Sequence, residues 1–448
     1  MPTKQYKLIL FLAPIVAWIF LSTGAYGQTM SVQNKSNRYL DQVSGLTVDR
    51  AVALALENNG EILASRKETD AARSRVNQAR LRANPTLSAS GARQINGRDN
   101  NAAAELSLPL ELGGRRSARI AVAQKEMEAR EFELANQERL LATEVRIKFG
   151  EAVAAIDKLD ITESTLEVAK QGYYLVTARV TEGKIAPLEQ NVFLVEVNRL
   201  KSIREMAEGK VEAAMFELRN MIGMKPEEPL RIRGNFDDSL VSVSPLSTAT
   251  DNALRDRPDL QGARTVEQLA TTQIELAQAN GKIDASVKAG YQRMNSSFPV
   301  SGFDDRGILR PVQDVFHFFT FGFEINLPVR NRNQGAVEAA TFEREAARRR
   351  IEFGELTIRR EVAAALARYN RAFRSLSIFQ NGVRDQANAN LSVIWQTYEL
   401  GSRSLLDYIA EQRRFLDIEN ELIDAKLEAY ISKVEIMKAV NAAELKTK

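Results

Sequence analysis

The sequence predicts a membrane protein of the α+β class, in which amphipathic strands of about ten residues join helices too long for a compact domain. Three observations predict it: an export signal opens the chain, one structural unit occurs twice, and each copy sets two alternating strands between long helical runs.

The export signal comes first. Lys4 and Lys7 precede an almost continuous apolar run from Leu8 to Leu21, and small residues lead on to Ala25-Tyr26-Gly27. This is the layout of a cleavable secretory signal over residues 1–27, with a mature chain expected to begin at Gln28. The run is shorter than the roughly 20 residues a spanning helix needs. No later stretch is apolar enough, so membrane contact must come from strands. Composition narrows the chemistry. The 448 residues include no Cys and one His, and the formal charge of +3 falls to +1 once Lys4 and Lys7 are removed. Thiol nucleophiles, disulfides and cysteine metal sites are excluded, and a metal centre would have to be built from carboxylates and His317. No catalytic constellation, cofactor site or metal site is expected, and the charge balance does not point to nucleic acid. His317, between Phe316 and Phe318, reads as an interfacial residue rather than a ligand.

The repeat organises the remainder. Leu106-Ser107-Leu108-Pro109-Leu110 with Gly113-Gly114 is matched by Ile325-Asn326-Leu327-Pro328-Val329 with Gly335, the prolines lying 219 residues apart. Glu182-Gly183 with Leu188-Glu189 matches Leu400-Gly401 with Leu406-Asp407 at 218, and Leu56-Glu57-Asn58 matches Leu254-Arg255-Asp256 at 198. An offset that changes once means two copies of one unit, with a longer loop expected in the second. The divisions are a signal at 1–27, an extended segment at 28–46, a first repeat at 47–222, a linker at 223–250, a second repeat at 251–443 and a tail at 444–448.

Each repeat reads helix, hairpin, long helix, break, helix. In the first, a helix from about 47 to 83 stops at Asn84-Pro85, a hairpin covers 86–110, and a long helix runs from about 117 to a break at 183–187. A further helix then ends near Ile222. The second repeat follows with a helix at about 251–281, a hairpin within 283–327, a long helix at about 335–399, a break at 400–403 and a helix at about 404–443. The long helices, near 65 residues, would measure roughly 98 Å. The two shorter helices of each repeat add up to about that length and would stack end to end beside it. Seven-residue apolar columns such as Ile409, Leu416, Ile423, Tyr430 and Met437, or Phe193, Leu200, Ala207, Ala214 and Met221, suit coiled-coil packing.

The strands alternate. Ala285, Val287, Ala289 and Tyr291 interleave with Ser286, Lys288 and Gly290, and Phe319, Phe321, Phe323 and Ile325 interleave with Thr320, Gly322 and Glu324. One apolar face and one polar face over about ten residues is the pattern of a transmembrane barrel strand. Open edges are not tolerated in lipid, so four strands cannot close alone: two chains would give eight and three would give twelve. Eight leave an interior filled with side chains, and an open conduit favours the larger number.

Across nearly all of the mature chain the sequence resembles the TolC-like outer-membrane efflux proteins. The resemblance is carried by Pro109-Leu110-Glu111-Leu112-Gly113-Gly114-Arg115-Arg116, by Leu327-Pro328-Val329 with Asn331-Arg332-Asn333, and by the paired breaks at Gly183 and Gly401. The Leu-Glu-Leu-Gly-Gly-Arg-Arg stretch looks most like the CzcC-like branch that works with heavy-metal cation pumps. The resemblance implies a trimeric outer-membrane β-barrel, four strands per chain, continuous with a long periplasmic α-helical coiled-coil barrel. It implies no enzymatic activity, outer-membrane lipid around the barrel, and docking through the tips at Gly183 and Gly401 onto a periplasmic adaptor and a proton-driven inner-membrane pump. It also places Glu189, Tyr398, Arg403 and Asp407 at or near the closed periplasmic end, as a candidate gate.

Overall fold

The computed structural model describes residues 38–236 and 246–445. The expected signal at 1–27 lies outside them, as do parts of the expected N-terminal segment, linker and tail. Element order is α1 (Val48–Asn58), α2 (Gly60–Arg80), β1 (Thr86–Arg93), β2 (Asn100–Pro109), α3 (Arg115–Thr181), α4 (Pro187–Met221), α5 (Leu246–Asp256), α6 (Pro258–Asn280), β3 (Asp284–Phe303), β4 (Leu309–Asn326), α7 (Gln334–Ile378), a π-turn (Phe379–Val383), α8 (Arg384–Glu399) and α9 (Leu405–Val440). No helix among the described residues is long and apolar enough to cross a membrane.

Helix α3, with 67 residues, has no proline and only two glycines to weaken it, and spans roughly 100 Å. Along it lie α1 and α2 on one length and α4 on the other. The ends meet near mid-height, where the Asn59 side chain donates to Met221 O at 3.5 Å and Gly223 closes on Asn58. The second repeat builds the same joint: Asn441 donates to Asp256 O at 2.6 Å and Arg257 to Ala439 O at 3.4 Å. Both first helices of the repeats are therefore broken, at Asn59 and at Arg257-Pro258, where a single run was expected. Asn59 caps α2 by accepting from Glu61 N and Ile62 N, and Pro258 opens α6 at a position where its missing N–H costs nothing. The largest core cluster sits at this level, with Phe149, Ile156, Val52, Met215, Leu218 and Ile232 fully or nearly buried. Residues 38–46 pair there with 231–233 through Asp41 N to Ile232 O and Leu46 N to Arg231 O.

The sheet runs β1-β2-β3-β4, all antiparallel. Its register stacks Leu87, Leu106, Ala289 and Phe321 in one row and Leu108, Val287 and Phe323 in another. From the helix end up to Phe319 and Tyr291 these apolar positions thus share one face, which packs on nothing among the described residues, with Phe321 83% exposed and Phe323 77%, while Phe316, Phe318 and Met294 further along lie on the other face. The opposite face is polar, with Lys288 between Glu105 and Glu324 at 3.5 and 2.5 Å. From Ile325 to Phe319 the apolar band covers roughly 20 Å of strand, close to the height expected of a lipid-facing girdle.

The length difference between the repeats is not a loop. β3 and β4 hold 20 and 18 residues, against 8 and 10 in β1 and β2, and the turns at 94–99 and 304–308 are nearly equal. The extra residues extend both strands past Tyr291 and His317. Pro299 falls in the irregularity between Ser297 and Ser301, and Pro311 lies on β4, an outer strand of the chain's own sheet, two settings that tolerate proline.

The Gly-Gly-Arg-Arg stretch has a definite task where sheet meets helices. Gly114, at φ 83°, turns the chain into α3, as Asn333, at φ 61°, does for α7. Arg115 donates to Ala279 O, Asn280 O and Lys282 O at 2.8–3.2 Å and pairs with Asp284. Arg116 donates to Arg80 O at 3.0 Å, and Arg119 to Ala79 O and Leu81 O at 3.2 and 3.0 Å. The last carbonyls of a helix have no partner within it, so three arginines of one strand-to-helix joint cap the ends of α2 and α6.

Candidate functional site at the helical tips

The two breaks expected at Gly183 and Gly401 form one local structure. After α3, Gly183 at φ 73° donates to Val180 O and Lys184 N to Arg179 O, both at 2.9 Å; after α8, Gly401 at φ 75° donates to Tyr398 O and Ser402 N to Thr397 O, both at 2.9 Å. This pair of bonds closes a helix only if the residue outside it is left-handed, which glycine adopts without strain. Neither glycine has an atom within 4 Å of where a Cβ would stand, so backbone conformation alone requires them.

Glu189 and Asp407 occupy equivalent third positions of α4 and α9, but their carboxylates do different things. Asp407 turns back on its own helix: Ser404 Oγ accepts from Asp407 N at 3.2 Å, while Asp407 Oδ2 accepts from Ser404 N at 3.1 Å, a reciprocal cap. The Ser404 hydroxyl, which also donates to Asp407 Oδ2 at 2.9 Å, and then the Ser404 N–H, with Arg403 nearby, hold this carboxyl below the usual range. Glu189 instead crosses to the other repeat and accepts from the Tyr398 hydroxyl at 3.0 Å. The contact forms within one chain. Tyr398 is 7% exposed, and burial, reinforced by the Glu189 carboxylate, pushes its hydroxyl up to about 12. Arg403 lies exposed on the rim of the same groove, of about 600 Å³, with Arg179, Lys184 and Leu406. The structure thus brings Glu189, Tyr398 and Arg403 to one groove, whereas Asp407 is not among its lining residues and caps its own helix.

Two features beside this groove went unread in the sequence. Tyr408 sits at the centre of an aromatic knot, its ring 4.7 Å from Trp395, 6.2 Å from Phe193 and 6.5 Å from Tyr398. Gly172 makes room for it, since a Cβ there would stand 2.7 Å from the Phe193 ring; an isolated glycine inside a long helix is the signal that could have found it. Further up the coil, the 1% exposed Glu196 accepts from Arg199 at 2.7 Å on its own helix and from Arg413 at 2.6 Å on α9. Burial opposes its charge, but the two guanidinium bonds prevail and hold the carboxyl below its usual range. Among the described residues, no group of three or more His, Asp or Glu is placed to hold a metal ion.

Comparison with known proteins agrees with this architecture. Residues 51–224 and 249–442 match the family described as outer membrane efflux protein. The cobalt-zinc-cadmium resistance protein CzcC of Cupriavidus metallidurans is 22% identical over 368 residues, covering 82% of this chain and 83% of that protein. The solvent efflux pump outer membrane protein SrpC of Pseudomonas putida is 23% identical over 286 residues, covering 63% of this chain and 58% of that protein. Among solved structures, CusC superposes with a TM-score of 0.73 at 20% identity, covering 88% of this chain and 91% of that one. A four-stranded sheet with an outward apolar face, duplicated long helices and a family match over both repeats lead to one conclusion: the chain belongs to the outer membrane efflux protein family, as a non-catalytic channel of the outer membrane that extends into the periplasm.

Proposed function

We propose that three copies close into a twelve-stranded barrel and a continuous helical tunnel, and that this tunnel passes heavy-metal cations from an inner-membrane pump and a periplasmic adaptor to the exterior. The observation that carries the assembly is the sheet itself. Its outer strands β1 and β4 leave both edges unpaired beside an apolar face, an arrangement lipid does not tolerate, so β1 of one copy joins β4 of the next. Three copies, rather than two, leave an open interior. Exposed apolar residues along α7, including Phe353 and Leu356 at 71% and 66%, fit burial between neighbouring copies.

In this reading the tips at Gly183 and Gly401 meet the adaptor, and Glu189, Tyr398, Arg403 and Asp407 line the closed end. The cargo reading rests on the relation to CzcC; the arginines of the Gly-Gly-Arg-Arg stretch support lineage rather than selectivity, because their bonds are spent on helix ends. The test is a deletion strain complemented with this chain and challenged with cobalt, zinc and cadmium, and separately with toluene and detergents. Several-fold lower metal tolerance without the chain, at unchanged solvent tolerance, is the expected result. The opposite pattern would move the cargo to organic solvents, in line with the similarity to SrpC.

A further inference from the structure

The outward face of the sheet segregates charge. Every acidic residue within the strands, namely Glu105, Asp284, Asp314 and Glu324, lies on the inward face in the ladder register. The basic side chains on the outward face are Arg93 and Arg293, both just beyond the apolar band on the side away from the helices. Arg293 is one rung past Tyr291 and in register with His317; Arg93 is one rung further, in register with Asn100. Arg293 donates to Asn100 Oδ1 at 3.3 Å, and the Tyr291 hydroxyl and His317 Nδ1 lie 2.6 Å apart. Arg93, Arg293 and His317 are all exposed, and neither arginine has a carboxylate partner among the described residues. Lys288, on the inward face, is held between two carboxylates.

The helices leave the sheet at one end only, so in an outer-membrane channel reaching into the periplasm the opposite margin lies at the outer leaflet. There the outward face passes from aromatic rings to a tyrosine–histidine pair and then to two guanidinium groups with no carboxylate beside them among the described residues. Tyrosine suits the boundary between lipid tails and head groups, and the planar fork of arginine suits phosphate oxygens. β1 and β3 are two strands apart, roughly 10 Å, close enough for both side chains to engage phosphates of one head group or of two neighbours.

We propose that Arg93 and Arg293, with His317 beside them, form a phosphate-binding girdle for the phosphorylated glycolipid of the outer leaflet. The proposal rests on the reading that the sheet closes into a barrel with its apolar face toward lipid. The occupant is a lipid phosphate rather than a free anion, because the site continues directly from the lipid-facing band, one rung past Tyr291.

The experiment uses the purified full-length protein in detergent, incubated with bisphosphorylated lipid A, with its dephosphorylated form or with inorganic phosphate, and read by native mass spectrometry. Wild type should retain lipid A. The double variant Arg93→Gln/Arg293→Gln should retain roughly thirtyfold less, the dephosphorylated lipid should bind as weakly as that, and inorganic phosphate should not displace lipid A. Lys288→Gln, on the inward face, should retain lipid A as wild type does. Equal retention by wild type and double variant, or equal binding of the dephosphorylated lipid, overturns the proposal, and displacement by inorganic phosphate overturns the lipid as occupant. The mass of the assembly separates the two readings: a trimeric wild type that retains no lipid A sinks the girdle alone, whereas one that never forms a trimer sinks the barrel as well.

Discussion

The first and second repeats share their geometry but divide their chemistry. Both end their long helical runs in the same glycine closure, and both join their shorter helices at the same mid-height joint. Between the tips, however, the first repeat supplies acceptors, Glu189 and Glu196 on α4, and the second supplies donors, Tyr398 on α8 and Arg413 on α9. At matching helix positions Asp407 caps its own helix while Glu189 reaches across. Two identical copies would face like against like. Divergence at a few side chains made the copies complementary while the backbone requirements stayed equal. The second repeat also differs in carrying a π-turn at Phe379–Val383, where the first has an unbroken helix, and Arg384 beside it pairs with Glu419 at 2.8 Å.

The sharpest way to break this complementarity is to strand Glu196. Replacing Arg199 and Arg413 together by methionine leaves a buried carboxylate without a partner and should cost about 3–5 kcal/mol of stability, much of it recovered when Glu196→Leu is added. Thermal unfolding of the purified protein measures both, and a double variant as stable as wild type would remove the bond from the account. The sign with pH follows from the lowered carboxyl: the stabilisation is present above the unfolded value near 4.3 and is lost as pH falls through the lower folded value.

Next in size is Gly172→Val, which forces its side chain into the Phe193 ring and should destabilise by about 1–3 kcal/mol. Val168, on the same helix and 51% exposed, is the control position: Val168→Ala should change little. Similar losses at the two sites would mean that the aromatic knot does not hold the tips together.

Tyr398→Phe removes the bond to Glu189 and should cost about 1 kcal/mol, but its clearer readout is function. Combined with Arg403→Ser it should raise conductance in planar bilayers, with Asp407→Asn giving a smaller change because that carboxylate serves its own helix. Unaltered conductance in the double variant would locate the closed end elsewhere. Alkali provides an independent check. Tyr398 and Tyr408 are both pushed up to about 12, so their contribution persists below the unfolded value near 10 and is lost as pH rises from there through about 12. Absorbance titration of the phenolates follows it directly.

The smallest effect tests the shared geometry rather than the divided chemistry. Gly183→Ala and Gly401→Ala should each cost about 1 kcal/mol through left-handed backbone strain, and by equal amounts, since no neighbour crowds either site. Unequal costs would show that one tip depends on contacts that the other lacks.

Much of this protein is legible in its sequence, because periodicity and offset report on faces and lengths. The alternation of Phe319 to Ile325 identified an apolar face, the step from 198 to 219 revealed a duplication, and Gly183 and Gly401 marked both tips. Such features depend on local backbone preference and on which side of an element is apolar, and both are written along the chain. The tertiary structure decided what depends on partners far apart in sequence. It assigned the inserted residues to strand rather than loop, because they pair with one another as far as Phe303 and Leu309 and their prolines sit where a sheet tolerates them. It divided the first helix of each repeat at Asn59 and Pro258, where the end of another helix must dock. It gave Glu189 a tyrosine and Asp407 a helix terminus, although both follow their glycine by six residues. Sequence spacing can place two carboxylates alike, but the donor each one meets is chosen by whichever helix packs against it.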